Sequence, residues 1–358
     1  MKVHNFSPGP AILPQSVIAQ AAQGVLDFNG IGLSILEISH RSPEFIAVLE
    51  ETVGLVRELG RLDDRYEVLF LQGGASTQFF MTAMNLLNED EAAGYVDTGS
   101  WSSKAIKEAK AFGQIEVLAS SKDKNYTYIP KEYEIPDHLK YVHLTSNNTI
   151  FGTQFHEWPE TNVPFVCDMS SDIFSRPFPI DRFGLIYAGA QKNMGPAGFT
   201  LVIIRKDLLG TVKRYIPTML QYQIHADNES CYNTPPVYAI YIGMLTLRWV
   251  KEQGGLDAMA IHNEAKAKVL YDEIDANPLF RGTTVAADRS LMNATFVMGE
   301  GYESLEKDFL KVCDEAGCSG VKGHRSVGGF RASIYNALPL ESIQVLVDVM
   351  REFAAKKG

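Results

Sequence analysis

Between residues 67 and 204 the chain repeats one unit: a short apolar run, a turn, and an amphipathic stretch with helical spacing. That alternation restricts the fold more than any other feature. Strands joined through helices lie parallel and are covered on both faces. Strands are predicted at 67–71, 92–96, 115–118, 141–144, 165–167, 185–188 and 200–204. Helices are predicted at 15–28, 44–59, 77–87 and 102–112, with Ser42 as N-cap and Pro43 at the first position of the second. In such sheets, ligands gather at the carboxyl ends of the strands.

A long helix is predicted to start at Thr234-Pro235-Pro236, with Thr234 as its N-cap, and to stop at Gly254-Gly255. The character then changes. A helix at 264–276, strands at 292–297 and 329–334, and terminal helices read as a smaller α+β unit. The expected class is α/β: a large cofactor-binding domain (15–258) with a mostly parallel sheet flanked by helices, and a smaller α+β domain (259–358). The segment 1–14 includes SPGPAILP, three prolines in eight residues, and is expected to run extended and pack on the small domain.

Several function classes lose support early. The 33 basic and 43 acidic residues give a net charge of −10, which disfavours general nucleic-acid binding. The most apolar run, 237–247, is shorter than the roughly 20 residues of a membrane-spanning helix. No secretory signal opens the chain, and no GxGxxG follows a strand. Cys167, Cys231, Cys313 and Cys318 form no CxxC pair. They are expected to be reduced thiols of a soluble cytoplasmic protein, with no metal site.

The chemistry concentrates at 166–205. Asp168 stands at the end of one apolar strand, and Lys192, twenty-four residues later, just past the next. A lysine after a strand is usually a solvated loop residue, and an aspartate at a strand end a cap. Across two neighbouring strands, however, the two can converge on one ligand. Pyridoxal 5'-phosphate needs that pair: a lysine for the Schiff base, and a carboxylate to keep the ring nitrogen protonated. Gly73-Gly74-Ala75-Ser76, between a strand and a helix, reads as a phosphate cradle or as a plain tight turn. Trp101 is positioned to stack on a flat ring or to fill the core. Thr149 can offer a hydroxyl or close a turn. His40-Arg41, His324-Arg325 and Arg331 suggest a substrate with several negative charges, or surface arginines paired with carboxylates.

Together the segments 7–14, SHRS (39–42), FLQGGAS (70–76), TSNNT (145–149), DMSS (168–171), GAQKN (189–193), NTPP (233–236) and GHRSVGGFRASIYNA (323–337) resemble the phosphoserine aminotransferases. These are class V aminotransferases within the fold-type-I pyridoxal phosphate enzymes, and the resemblance runs from residue 7 to 337. It implies Lys192 as the Schiff-base lysine and general base, and Asp168 as partner of the ring nitrogen. It implies Trp101 against the ring, Thr149 at the phenolic oxygen, and Ala75, Ser76 and Gln191 at the phosphate. Asn233 and Thr234 would reach that phosphate from the other subunit of a homodimer. Arg331 would bind the substrate α-carboxylate. His324 and Arg325, with His40 and Arg41 of the neighbouring subunit, would bind the substrate phosphate. Some members carry arginine where this chain has Ser76. The implied reaction is reversible transfer of an amino group between glutamate and 3-phosphohydroxypyruvate, giving phosphoserine and 2-oxoglutarate in L-serine biosynthesis. Action on 3-hydroxy-2-oxo-4-phosphooxybutanoate in pyridoxine biosynthesis is also compatible. The alternatives are another class V aminotransferase and a non-catalytic binding protein that kept the fold.

Overall fold

The computed structural model describes residues 2–357. The chain opens with β1 (His4–Asn5), α1 (Gln15–Leu26) and α2 (Pro43–Gly60). Ser42 caps α2 by accepting from the Phe45 N–H, and Pro43 takes the first helical position, where a missing N–H costs nothing. There follow β2 (Tyr66–Leu71), α3 (Gly74–Leu86), β3 (Ala92–Asp97), α4 (Ser100–Ala109), β4 (Gln114–Ser120) and β5 (Val142–Thr145). A two-rung hairpin of β6 (Asn147–Asn148) and β7 (Thr153–Gln154) precedes β8 (Phe165–Asp168), β9 (Phe183–Gly189) and β10 (Thr200–Arg205).

Seven of these strands form one sheet in the order β2-β10-β9-β8-β5-β3-β4. All run parallel except β10, which is antiparallel to both β9 and β2. The reason lies in the connection. A parallel return needs a crossover of a dozen residues or more, and only a short loop separates β9 from β10. That loop carries Lys192.

Alternation along each strand divides the core into two layers. Val68 and Phe70 of β2, and Leu201 and Ile203 of β10, join the cluster under α1, α2 and α6 (Val237–Glu252). Leu69, Leu71, Val202 and Ile204 point the other way, into the cluster under α3 and α4. With period two and both faces covered, the interior positions of a strand are apolar on both sides, hence the run LVII within TLVIIR.

After β10 come the short α5 (Tyr222–Asp227), then α6, then α7 (Gly255–Ala276). Thr234 does not cap α6. The helix starts at Val237, and Pro236 precedes it without a side-chain cap. Each proline disfavours helical backbone in the residue before it, so two in succession delay the start. The α7 helix begins nine residues before the predicted 264, because Gly254 turns in the left-handed region (φ 98°) and the chain re-enters helix at once.

The remainder is built from β11 (Phe280–Gly282), β12 (Asn293–Met298), α8 (Glu306–Glu315), β13 (Cys318–Ser319), β14 (Phe330–Ser333) and α9 (Leu340–Lys357). Strands β11, β12 and β14 make an antiparallel sheet, and β1 pairs in parallel with β13. A separate apolar cluster fills this part, including Phe6, Leu270, Phe280, Phe309, Phe330 and Phe353. The first turns of α7 place Leu256 and Met259 in the large core, while Ala267 and Leu270 further along lie in the small one. Among the described residues, no helix is long and apolar enough to cross a membrane.

Phe309 is fully buried, its ring centroid 4.8 Å from that of Phe280 and 4.9 Å from that of Phe330. Phe309→Ala is expected to cost about 3–5 kcal/mol of stability, read as a lowered urea midpoint. A loss under about 1 kcal/mol would mean that the cluster closes over the hole.

Candidate active site

Thr145, Asp168 and Tyr187 stand abreast at or near the carboxyl ends of β5, β8 and β9. Asp168, the last residue of β8, is buried, and its Oδ1 accepts from the Ser170 N–H at 2.9 Å. The Ser170 hydroxyl in turn accepts from the Gly189 N–H at 3.1 Å, which ties the end of β8 to the start of the lysine loop. From that loop Lys192 extends its Nζ to donate to Thr149 Oγ1 at 2.7 Å. Arg331, on β14 of the small sheet, donates from Nη1 to the carbonyl of the same Thr149 at 3.3 Å. Thr149 thus touches both cations, one through its side chain and one through its backbone.

A cavity of about 150 Å³ opens here, lined by Ala75, Ser76, Trp101, Thr149, Asp168, Gln191 and Lys192. The first turn of α3 forms one wall, three residues earlier than the sequence suggests. Gly73 makes the early start possible. Its φ is 98°, and a Cβ there would lie 2.0 Å from Thr77 Oγ1. The first N–H groups of the helix lack intrahelical acceptors and carry the positive end of its dipole, which suits an anion.

Charge in the cavity is unbalanced. Burial pushes the Asp168 carboxyl above its ordinary range, opposed by the hydrogen bond from Ser170 and by the Lys192 charge. Burial lowers Lys192 to about 8; the Asp168 carboxylate resists that fall and Arg331 adds to it. Arg331 is 7% exposed, its Nε has no partner, and among the described residues no carboxylate pairs with it. Thr145 Oγ1 and Trp101 Nε1 are likewise buried without partners.

The remaining sequence candidates divide. His324 sits in the loop before β14 with Nδ1 2.7 Å from the Ser326 hydroxyl. Burial lowers it, and the charges of Arg331, Arg325 and Lys104 lower it further, which puts it within the same positive field. Arg325 beside it is exposed. A single chain does not bring His40, Arg41, Asn233 or Thr234 to the cavity. His40 and Arg41 line a separate hollow of about 370 Å³ with Glu67, Leu69 and Cys231. The Thr234 carbonyl accepts from Gln72 Nε2 at 3.1 Å. The cavity also recruits residues given no individual role from the sequence: Thr145, Asn147, Ser170 and Ser171, of the segments 145–149 and 168–171, and Phe79. Phe79 was legible, since four residues after Ala75 it must share that face of the helix. Lys104 was too. One turn after Trp101, it places its Nζ 4.4 Å from the indole centroid.

This set fits pyridoxal phosphate: a helix N-terminus for the phosphate, an indole beside the ring, a buried carboxylate for the ring nitrogen, and a lysine near neutrality for the aldehyde. The comparisons agree. The model of the aminotransferase class-V family matches residues 3–346, and the chain belongs to that family. It is a pyridoxal phosphate-dependent aminotransferase. The phosphoserine aminotransferase of Flavobacterium psychrophilum is 58% identical over 357 residues, covering 99% of this chain and 100% of the relative. The structure of phosphoserine aminotransferase from Bacillus circulans subsp. alkalophilus superposes with a TM-score of 0.97 at 48% identity, covering 100% of this chain and 99% of that one. The pyridoxal phosphate-bound phosphoserine aminotransferase of Trichomonas vaginalis gives 0.93 at 36% identity, covering 98% and 100%.

The electrostatics make a signed prediction. In cofactor-free protein, Lys192 should be modified by an amine-reactive reagent with a midpoint near the stated value of about 8, followed at peptide level by mass spectrometry. Asp168→Asn removes a charge that raises Lys192, so the midpoint should fall. Arg331→Gln removes one that lowers it, so the midpoint should rise. Midpoints unmoved in both variants would mean that neither charge reaches Lys192.

Proposed function

We propose that this enzyme transfers an amino group reversibly between glutamate and 3-phosphohydroxypyruvate, forming phosphoserine and 2-oxoglutarate and serving L-serine biosynthesis. The observation that carries the reading is the pairing at Thr149. A lysine near neutrality and a buried, unpaired guanidinium meet on one residue, with a histidine–arginine pair in the loop above. That arrangement suits an amino acid anionic at both ends. The relatives' shared activity supports the same substrate.

Bound pyridoxal phosphate supplies an electron sink for the bonds at the substrate α-carbon. Asp168 would face its ring nitrogen, Trp101 its ring, Thr149 its phenolic oxygen, and Ala75, Ser76 and Gln191 its phosphate. Arg331 grips the α-carboxylate with a planar fork and fixes which face of the α-carbon meets Lys192. Lys192 Nζ would remove the proton from the α-carbon of the amino donor in one half-reaction and deliver one to the α-carbon of the acceptor in the other, a task that a base titrating near the working pH performs best. His324 and Arg325 take the far anionic group. Imidazole adapts its charge to a carboxylate in one half-reaction and a phosphate in the other. The phosphorylated four-carbon acid of pyridoxine biosynthesis has the same two anionic ends and is proposed as a second substrate. Four unpaired cysteines suit a reducing compartment such as the cytoplasm.

We further propose a homodimer with shared sites, in which His40, Arg41, Asn233 and Thr234 complete the cavity of a second copy. That none of the four lines its own chain's cavity supports this reading.

Three experiments test these readings. The visible band of the cofactor-loaded enzyme should change on adding phosphoserine and return with 2-oxoglutarate. A band that ignores phosphoserine and responds to alanine would move the enzyme to a sister activity. In parallel, Lys192→Ala should retain the cofactor and lose at least about 10³-fold in turnover. For the dimer, inactive Lys192→Ala and Arg41→Ala chains are unfolded together and refolded. If sites are shared, half the dimers are mixed and one site in two is whole, so about a quarter of wild-type activity returns. No recovery would mean that Arg41 serves the Lys192 of its own chain, and would overturn the shared site.

A further inference from the structure

Lys266, in the middle of α7, is fully buried. Among the described residues no carboxylate pairs with it, and burial alone governs its charge, lowering it to about 7. Its Nζ donates to the carbonyl oxygens of Tyr335 at 2.7 Å and Ile334 at 3.0 Å, and lies 3.5 Å from that of Asn336. Three successive carbonyls turned toward one point are the ligand set with which proteins replace the water shell of a monovalent cation. Here the cation is an ammonium carried on a helix.

The turn it holds lies between the two halves of the site. It begins three residues after Arg331 on the same chain segment. The Asn336 N–H donates to Oδ1 of Asn193, the neighbour of Lys192, at 3.0 Å. The Asn336 side chain donates to the Phe174 carbonyl at 2.9 Å and accepts from Asn263 Nδ2 at 2.8 Å, close to one turn before Lys266 on α7. Removing the ammonium would leave dry carbonyl dipoles facing one another, and the turn would have to open.

We propose that Lys266 is a positioning residue, a tethered internal cation that sets the turn 334–336 and through it the spacing between Lys192 and Arg331. The catalytic consequence rests on the roles proposed above for those two residues; the cation site itself does not.

The test uses Lys266→Ala, which removes the ammonium with its three outer methylenes and leaves room for a small free cation, and Lys266→Met, which keeps nearly the volume without the charge. Cofactor-free Lys266→Ala should melt below wild type and be raised by ammonium or methylammonium. The bulkier tetramethylammonium should leave it unmoved, and wild type should respond to none of the three. In the loaded enzyme at pH 6.5, where Lys266 of wild type is charged, both variants should lose on the order of 10²-fold in kcat/KM, as expected of a displacement near 1 Å. The rise in KM for glutamate should dominate, and methylammonium should restore part of the loss in Lys266→Ala only. If Lys266→Ala is isolated unfolded, ammonium should recover its folding.

Wild-type kcat/KM and melting in Lys266→Met would reduce Lys266 to a packing residue and overturn the proposal. So would a Lys266→Ala variant indifferent to ammonium, or one whose melting is rescued while its kcat/KM was never impaired. The melting readout needs neither cofactor nor substrate. It therefore stands apart from the phosphoserine assay, whose failure would count against the proposed function alone.

Discussion

The sheet is apolar on both faces, and the rest of the molecule follows from that. Helices on one side and the other oblige neighbouring strands to run the same way, so their carboxyl ends fall along one edge. Thr145, Asp168 and Tyr187 are brought level by strand register, with no further device. The antiparallel β10 departs from the rule to useful effect. Because it returns directly, the loop after β9 stays short, and Lys192 is held against the sheet edge.

Against that edge the protein sets charges it does not neutralise. Exposed ion pairs elsewhere, such as Lys2 with Glu341 or Arg61 with Asp257, are complete in themselves and contribute little. Arg331 is buried and Lys192 half-buried, and neither forms an ion pair among the described residues. A cation in a dry place is costly, and the cost persists in the free protein. An anionic ligand relieves it, so part of the binding energy is prepared in advance by the fold. Asp168 presents the mirror image, a carboxylate raised by burial that a protonated ring nitrogen would stabilise.

Much of this was legible in the sequence, and the illegible parts share physical reasons. Strand runs declare themselves because burial on both faces makes the middle of each strand apolar, as in VLFL of β2 and LVII of β10. Asp168 and Lys192 were legible because polar residues just past such runs stand out. Helix starts were less so. Thr234 carries good cap chemistry, but the two prolines after it decide the backbone. Gly254-Gly255 reads as a stop, and is a stop followed at once by a new start. The direction of β10 depends on loop length, which composition does not reveal. Lys266 gave no signal, since a lysine among the polar residues of an amphipathic helix looks like any solvated one. Only the fold shows that it points at carbonyls.

The pairing of β1 with β13 has a consequence for how the chain assembles. His4 lies beside Cys318, and the Phe6 carbonyl accepts from the Ser333 N–H, across more than 300 residues of sequence. Ala11 donates to the carbonyl of Gln191, beside the lysine loop. In chain order, residues 4–6 therefore wait for partners that follow them by more than 300 residues. The closing of so long a loop is slow, and its entropy is recovered only at the end. The segment 4–11 works as a clasp: it closes only over a formed small core and a placed lysine loop, so its closure follows both.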